Sequence, residues 1–149
     1  IREFFVPQGI LGETLETAVP WSKINQVKDE ANKLLTELHK KYDLPGKPFF
    51  CSRISKVYHT GICMYNTMGI NVRGIKNPEK VFSDIEHKIR ECFIKNGGSI
   101  SHHHGVGKLR KDFMPETISP GSIDVIQGIK KSQDPNNIFG ISNNIVNKK

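Results

Sequence analysis

At 149 residues the chain has room for one domain, or one domain and part of another, and enough length to bury a single core. A hydrophobic fraction of 36% beside 25% charged residues argues against a disordered polar chain, and no apolar run approaches the roughly 20 residues needed to cross a bilayer. The formal charge of +7 suits an anionic partner, whether nucleic acid, a membrane surface or a phosphorylated small molecule, without choosing among them.

Taken from the start, residues 1–14 lack a clean period and contain Pro7, Gly9 and Gly12, which reads as a connecting segment with a short helix at its start. A short strand is expected over Leu15 to Val19. From Trp21 the apolar residues Ile24, Val27, Ala31, Leu34, Leu35 and Leu38 recur at helical spacing with charged residues between them, so a helix runs to about Tyr42 and is stopped by Pro45 and Gly46. Residues 49–57 and 61–73 are rich in β-branched and aromatic side chains and read as two strands joined by a turn at Tyr58-His59-Thr60-Gly61. Alternation gives the second strand two faces: Ile62, Met64, Met68, Ile70 and Val72 pack on the helices, while Cys63, Tyr65, Thr67 and Asn71 form a polar face and a candidate site wall.

Asn77-Pro78 supplies an N-cap and a first-turn proline, Val81, Phe82, Ile85, Ile89, Cys92 and Phe93 give a second helical stripe, and Gly97-Gly98 ends it. Ser99 to His103 reads as one more strand entering a loop at Gly105 and Gly107. The order strand, helix, strand, strand, helix, strand is that of a ferredoxin-like split unit, an α+β fold with helices on one face of an antiparallel sheet. Two short helices, from Lys108 to about Ile118 and from Ser122 to about Ser132, follow. They are too weakly apolar to make a core of their own, so they are expected to dock on another domain. The division implied is a connecting segment 1–14, a domain over 15–105 and a helical segment over 106–149.

Cys51, Cys63 and Cys92 are an odd number without CxxC spacing, which indicates neither a disulfide framework nor a zinc knuckle and favours a reducing compartment. The start at Ile1 shows no initiator Met or signal-peptide layout, and Asn147-Lys148-Lys149 is not a peroxisomal tripeptide, so the chain is expected to begin in mid-protein.

Chemistry concentrates in Ser101-His102-His103-His104-Gly105-Val106-Gly107-Lys108. Imidazoles titrate near neutrality and can take or give a proton, and the glycines let backbone approach a ligand. Strand alternation would point His102 and His104 one way and His103 the other. A plain polar loop is the competing reading. A metal site is not expected, because adjacent histidines do not readily turn to one ion. Tyr65, in mid-strand on the polar face, can act as a base when positive charge lies beside it, or it is simply structural. Arg2 can grip a phosphate bidentately or sit as a surface charge. Lys108, Arg110 and Lys111 follow the glycines at an expected helix N-terminus, a place that favours anions, or they form a solvated basic face. The basic residues are dispersed and no RNP-like pattern occurs, so nucleic acid is not expected.

The stretch from Gly97 through the three histidines to Lys111 resembles the signature of the alkyl-dihydroxyacetonephosphate synthases, within the vanillyl-alcohol-oxidase class of flavoproteins. The resemblance extends over Gly12-Glu13 to Pro20-Trp21, Cys63-Met64-Tyr65, Asn71 to Ile75 and Asp134 to Gly140, in order and without a large gap. It implies a substrate-covering cap and a C-terminal segment returning to an FAD domain, with the glycine-rich FAD pyrophosphate segment absent from this chain. The implied reaction exchanges the acyl chain of acyl-dihydroxyacetone phosphate for a long-chain fatty alcohol, with no net redox change. In that route a proton leaves beside the ketone, the substrate carbon joins flavin N5, fatty acid departs and the alkoxide replaces it.

By matched position, Tyr65 is implied as proton acceptor and donor, His102, His103 and His104 as the imidazoles that activate the alcohol, and Arg2 as the substrate-holding arginine. The resemblance further implies partnership with the FAD-binding portion of the same protein, membrane-surface association and a peroxisomal location, and is compatible with a homodimer. Competing readings are an FAD-dependent 2-hydroxyacid dehydrogenase of the same architecture and a non-catalytic basic binding module.

Overall fold

The computed structural model describes residues 2–140, with Arg2 through its backbone alone. The chain divides into two compact units, Ile1–Ser99 and a second beginning at Ile100, so the division falls ahead of the histidine run and not after it.

The first unit opens with a short helix α1 (Arg2–Phe5) and a 3-10 turn, and strand β1 then runs from Ile10 to Pro20. The expected connecting segment therefore ends early. Gly12 does not break the strand, because it lies opposite Gly69 in a continuous antiparallel pairing with β3, and cross-strand pairing overrides weak local propensity. After a 3-10 turn at Trp21–Lys23, helix α2 (Ile24–Lys41) buries Val27, Ala31, Leu35 and Leu38, the i, i+4 stripe anticipated above. Strands β2 (Phe49–Val57) and β3 (Gly61–Asn71) form the hairpin. Helix α3 (Pro78–Lys95) follows.

Asn77 departs from its expected role: it takes a left-handed backbone conformation and its side chain does not cap the helix, leaving Pro78 to set the first turn. The other end is as read. Gly97 is left-handed, its N–H donates to Ile94 O at 2.9 Å and the Gly98 N–H to Phe93 O at 2.8 Å, which closes a Schellman motif. A Cβ on Gly98 would lie 2.4 Å from Thr17 Oγ1 and 2.8 Å from Phe93 O, so the chain leaves α3 through a gap that only glycine fits.

Among the described residues the sheet has three strands in the order β1-β3-β2, antiparallel throughout. The fourth strand expected over Ser99–His103 is not formed. Only its first residue takes up the position: Ser99 N–H donates to Ala18 O, Ser99 Oγ accepts from the Ala18 N–H, and Thr17 Oγ1 donates to Ser99 O, all at 2.9–3.0 Å. The chain beyond it bends instead of extending. The core lies between one sheet face and the two long helices, with Leu15, Val19, Ile62, Met64, Met68 and Ile70 meeting Val27, Leu35, Ile85, Ile89 and Phe93. Asn66 shares that buried face. Its Nδ2 donates to Leu15 O at 3.2 Å and its Oδ1 accepts from Ser52 Oγ at 2.6 Å, so the polar group is satisfied within the sheet.

The second unit holds a 3-10 helix at Lys111–Glu116 and helix α4 (Pro120–Gln133). The first expected helix is thus shorter and begins later, and Pro120-Gly121 opens α4 instead of separating two helices. Ser119 caps it by accepting from the Ser122 N–H, and Pro120 occupies the first turn where its missing N–H costs nothing. Buried apolar side chains here are Ile100, Phe113 and Met114, and α4 buries none. No helix among the described residues is long and apolar enough to cross a membrane.

Candidate functional site

Tyr65 lies in the middle of the central strand, opposite Glu16 of β1 and Arg53 of β2. The three side chains belong to the sheet face that points away from α2 and α3, in a row flanked by Thr14, Thr67 and Cys51 on one side and Ala18, Cys63 and Lys56 on the other. The Arg53 guanidinium sits 4.6 Å from the centroid of the Tyr65 ring, a cation–π placement. Arg53 was not singled out in the sequence, and the register explains why. Counting back from the Val57–Ile62 pair, a regular hairpin would bring Ile54 opposite Tyr65 and turn Arg53 toward the helices. A bulge between Ile54 and Lys56 absorbs one residue, shifts the pairing and delivers Arg53 to the face of Tyr65. The polar face is also less uniform than alternation suggested, because Cys63 and Glu16 are buried while Thr67 is exposed.

His102, His103 and His104 lie in a bend of the second unit, not in a strand. The expected alternation of their side chains therefore fails, and all three rings are brought together. His102 and His103 stand edge to face with centroids 5.3 Å apart, and His103 and His104 repeat the arrangement at 4.5 Å. The Nδ1 atoms of His102 and His103 are 3.0 Å apart, so one ring donates and the other accepts. The loop is tied by the carbonyl of Gly105, which accepts from Arg110 Nη1 at 2.9 Å and from Ser101 Oγ at 3.3 Å. Gly105 and Gly107 both have positive φ, which lets the chain turn back on itself there. Arg110 is buried, so the reading of Lys108, Arg110 and Lys111 as one basic cluster is corrected: Arg110 organises the histidine loop, and Lys108 alone of the three is fully on the surface.

Tyr65 belongs to the first unit and the three histidines to the second. Arg2 falls in α1, and its side chain lies outside what is described. The motif Asp134–Gly140 closes on itself. Asp134 accepts from the Lys130 ammonium, from the Ile138 N–H and from the Phe139 N–H, and these donors hold its carboxyl down to about 2.

The family model for FAD linked oxidases, C-terminal domain, matches residues 1–140. The chain belongs to that family. Among its relatives is the alkyldihydroxyacetonephosphate synthase of Caenorhabditis elegans, 39% identical over 143 residues, covering 96% of this chain and 24% of the relative. A probable mitochondrial D-2-hydroxyglutarate dehydrogenase of Oryza sativa subsp. indica is 27% identical over 150 residues, covering 93% of this chain and 27% of the relative. A solved alkyldihydroxyacetonephosphate synthase superposes with a TM-score of 0.63 at 19% identity, over 90% of this chain and 21% of the other, and supports the α+β fold. The chain thus spans about a quarter of the length of these FAD-linked relatives.

What this FAD-linked domain offers the cofactor can be read from its residues. Gly12 and Gly69 face one another two rows from Tyr65, so neither strand projects a side chain there, and Phe49 lies beside the pair, 3.7 Å from where a Gly69 Cβ would be. No glycine-rich turn opens a long helix to receive a pyrophosphate among the described residues: α2 is preceded by Trp21–Lys23, α3 by Asn77 and α4 by Ser119. The described residues thus offer a polar sheet face around Tyr65 but no such grip on the cofactor's phosphates.

Proposed function

We propose that this chain is the substrate-side portion of an alkyl-dihydroxyacetonephosphate synthase, which exchanges the acyl chain of acyl-dihydroxyacetone phosphate for a long-chain fatty alcohol. The observation that carries the reading is the 39% identity to a synthase of that name across 96% of this chain. The geometry of each unit is in keeping with it. Tyr65 is the group proposed to take the proton beside the ketone and return it, and the guanidinium of Arg53 lies over its ring. His102, His103 and His104 are proposed to accept the proton of the alcohol and to stabilise its developing alkoxide, with His104 the one held essential. Arg2 is proposed to hold the substrate phosphate or acyl carbonyl. FAD, gripped by the remainder of the protein, supplies the electron sink and covalent handle. Both substrates are lipids, so the protein is proposed to work at a membrane surface, in the peroxisome.

In the full-length protein, Tyr65→Phe is expected to lower exchange turnover by about 10² to 10⁴ while bound FAD, read from its absorption, is unchanged. Turnover at the unmodified rate would remove Tyr65 from the mechanism. The likeness to D-2-hydroxyglutarate dehydrogenase supports a second reading, oxidation of a 2-hydroxyacid, at the lower identity of 27%. Bleaching of the flavin by a 2-hydroxyacid, without alkyl exchange, would establish that reading instead.

A further inference from the structure

Asn96 follows the last residue of α3, and its carboxamide ties that helix to α2. Nδ2 donates to Glu30 Oε2 at 2.7 Å and to Cys92 O at 2.9 Å, and Oδ1 accepts from Gln26 Nε2 at 2.8 Å. Gln26 Nε2 also donates to Glu30 Oε1 at 3.2 Å, so two side chains of α2 and the residue ending α3 form one closed set. The next residue is Gly97, and the pair Asn-Gly occurs nowhere else in the sequence. A glycine puts no side chain in the way when its backbone nitrogen attacks the preceding carboxamide, which makes this pair the one most open to loss of the amide.

In the folded chain the attack is blocked. The Asn96 ψ of 13° sets Gly97 N beside Asn96 N and away from the side chain, and the Gly97 N–H donates to Ile94 O at 2.9 Å. The group that must leave, Nδ2, is the one held by Glu30 and Cys92. Reaction therefore requires local opening at the end of α3, and its rate is the intrinsic one scaled by the open fraction. Water reaches the place, since Asn96 and Glu30 border an open groove between α2 and α3 that Lys33, Lys88 and Cys92 also line.

We propose that Asn96-Gly97 is a self-modification site that records opening of the α2–α3 tie and then prevents its closure. In the open chain the Gly97 nitrogen bonds to Asn96 Cγ and passes its proton to Nδ2, which leaves as ammonia. Water then splits the cyclic imide to aspartate or isoaspartate, with nothing oxidised or reduced. The product cannot restore the tie. A carboxylate has no hydrogen to donate to Glu30 or Cys92, it sets a second negative charge against Glu30, and it opposes the dipole at the C-terminal end of α3. Isoaspartate also lengthens the main chain by a methylene just ahead of Gly98, where a Cβ would already lie 2.4 Å from Thr17 Oγ1, and so disturbs the pairing of Ser99 with Ala18.

The test is incubation of the full-length protein at mildly alkaline pH beside a synthetic peptide of residues 90–101, with conversion read from the mass of peptides carrying residue 96. The folded protein is expected to convert at least about tenfold more slowly than the peptide. Glu30→Ala, at an exposed position, should convert about tenfold faster than the native protein. Lys33→Ala, in the same groove but outside the tie, should keep the native rate. Asn96→Asp, which supplies the product in advance, should lower the unfolding midpoint more than Asn96→Ala does, and adding Glu30→Gln should recover part of the loss. Conversion of the native protein at the rate of the peptide, of Glu30→Ala at the native rate, or of Lys33→Ala as fast as Glu30→Ala overturns the proposal. A midpoint for Asn96→Asp no lower than that for Asn96→Ala overturns it too, by leaving the modification without a structural effect. None of these measurements reads turnover, so their outcome and that of the exchange assay stand apart.

Discussion

His39 lies in the last turn of α2 with its ring buried and its Nε2 lacking a hydrogen-bond partner. A buried polar atom left in that state costs about 1–3 kcal/mol. His39→Leu, close in volume and apolar, is therefore expected to raise stability by about 1 kcal/mol, seen as a higher midpoint of thermal or urea unfolding. A lower midpoint would show that the imidazole is satisfied in solution. Asp134 carries the opposite case, a carboxylate with more donors than it would have unfolded. Its folded value of about 2 lies below the ordinary carboxylate range near 4, so the contribution of the turn is complete above about pH 4 and fades as pH falls through 2. The protection factors of the Ile138 and Phe139 amides, their exchange rates divided into the intrinsic rate at the same pH, should fall over that window. In Asp134→Asn the protection factors should be low throughout and unchanged by acid.

At the level of elements, the bulge in β2 decides which side chain covers Tyr65. Deleting Ser55 removes the residue that the bulge absorbs, so Lys56–Cys63 and Ile54–Met64 become consecutive pairs and Arg53 stays opposite Tyr65. The expected outcome is an unchanged Arg53–Tyr65 contact, detectable as cross-peaks between the two side chains. Loss of the contact would mean that the bulge is needed for the twist of the hairpin. The long helices and the hairpin turn were legible from periodicity and from Pro45, Gly46, Pro78 and Gly97, since these features act within a few residues. Arg53 was hidden because its position depends on a one-residue irregularity, and the full length of β1 because Gly12 is held in the strand by a partner far along the chain. The histidines announced themselves by composition, but their mutual packing depends on a loop closed by Arg110, whose role no local pattern reveals.

Across the whole molecule, burial is unevenly shared. The first unit encloses the apolar cluster from Leu15 to Phe93, while α4 buries no residue. Opening free energies follow buried area, so the second unit is expected to open first. Brief trypsin treatment should cut at Lys108 or Lys111 well before any site between Leu15 and Phe93, with the fragments identified by mass. Simultaneous loss of both regions would show that they unfold together.

Asn66 has a consequence for the reacting row beside it. Sliding β3 by one residue would turn its apolar set outward, which the core forbids; sliding it by two would keep every side chain on its proper face and go unpunished in an all-apolar strand. Here a two-residue slide would strand the carboxamide away from Leu15 O and Ser52 Oγ, leaving a dry amide without partners. One asparagine thus works as a detent against even-numbered slips, and the alignment of Glu16, Tyr65 and Arg53 inherits its precision from a neighbour that faces the other way.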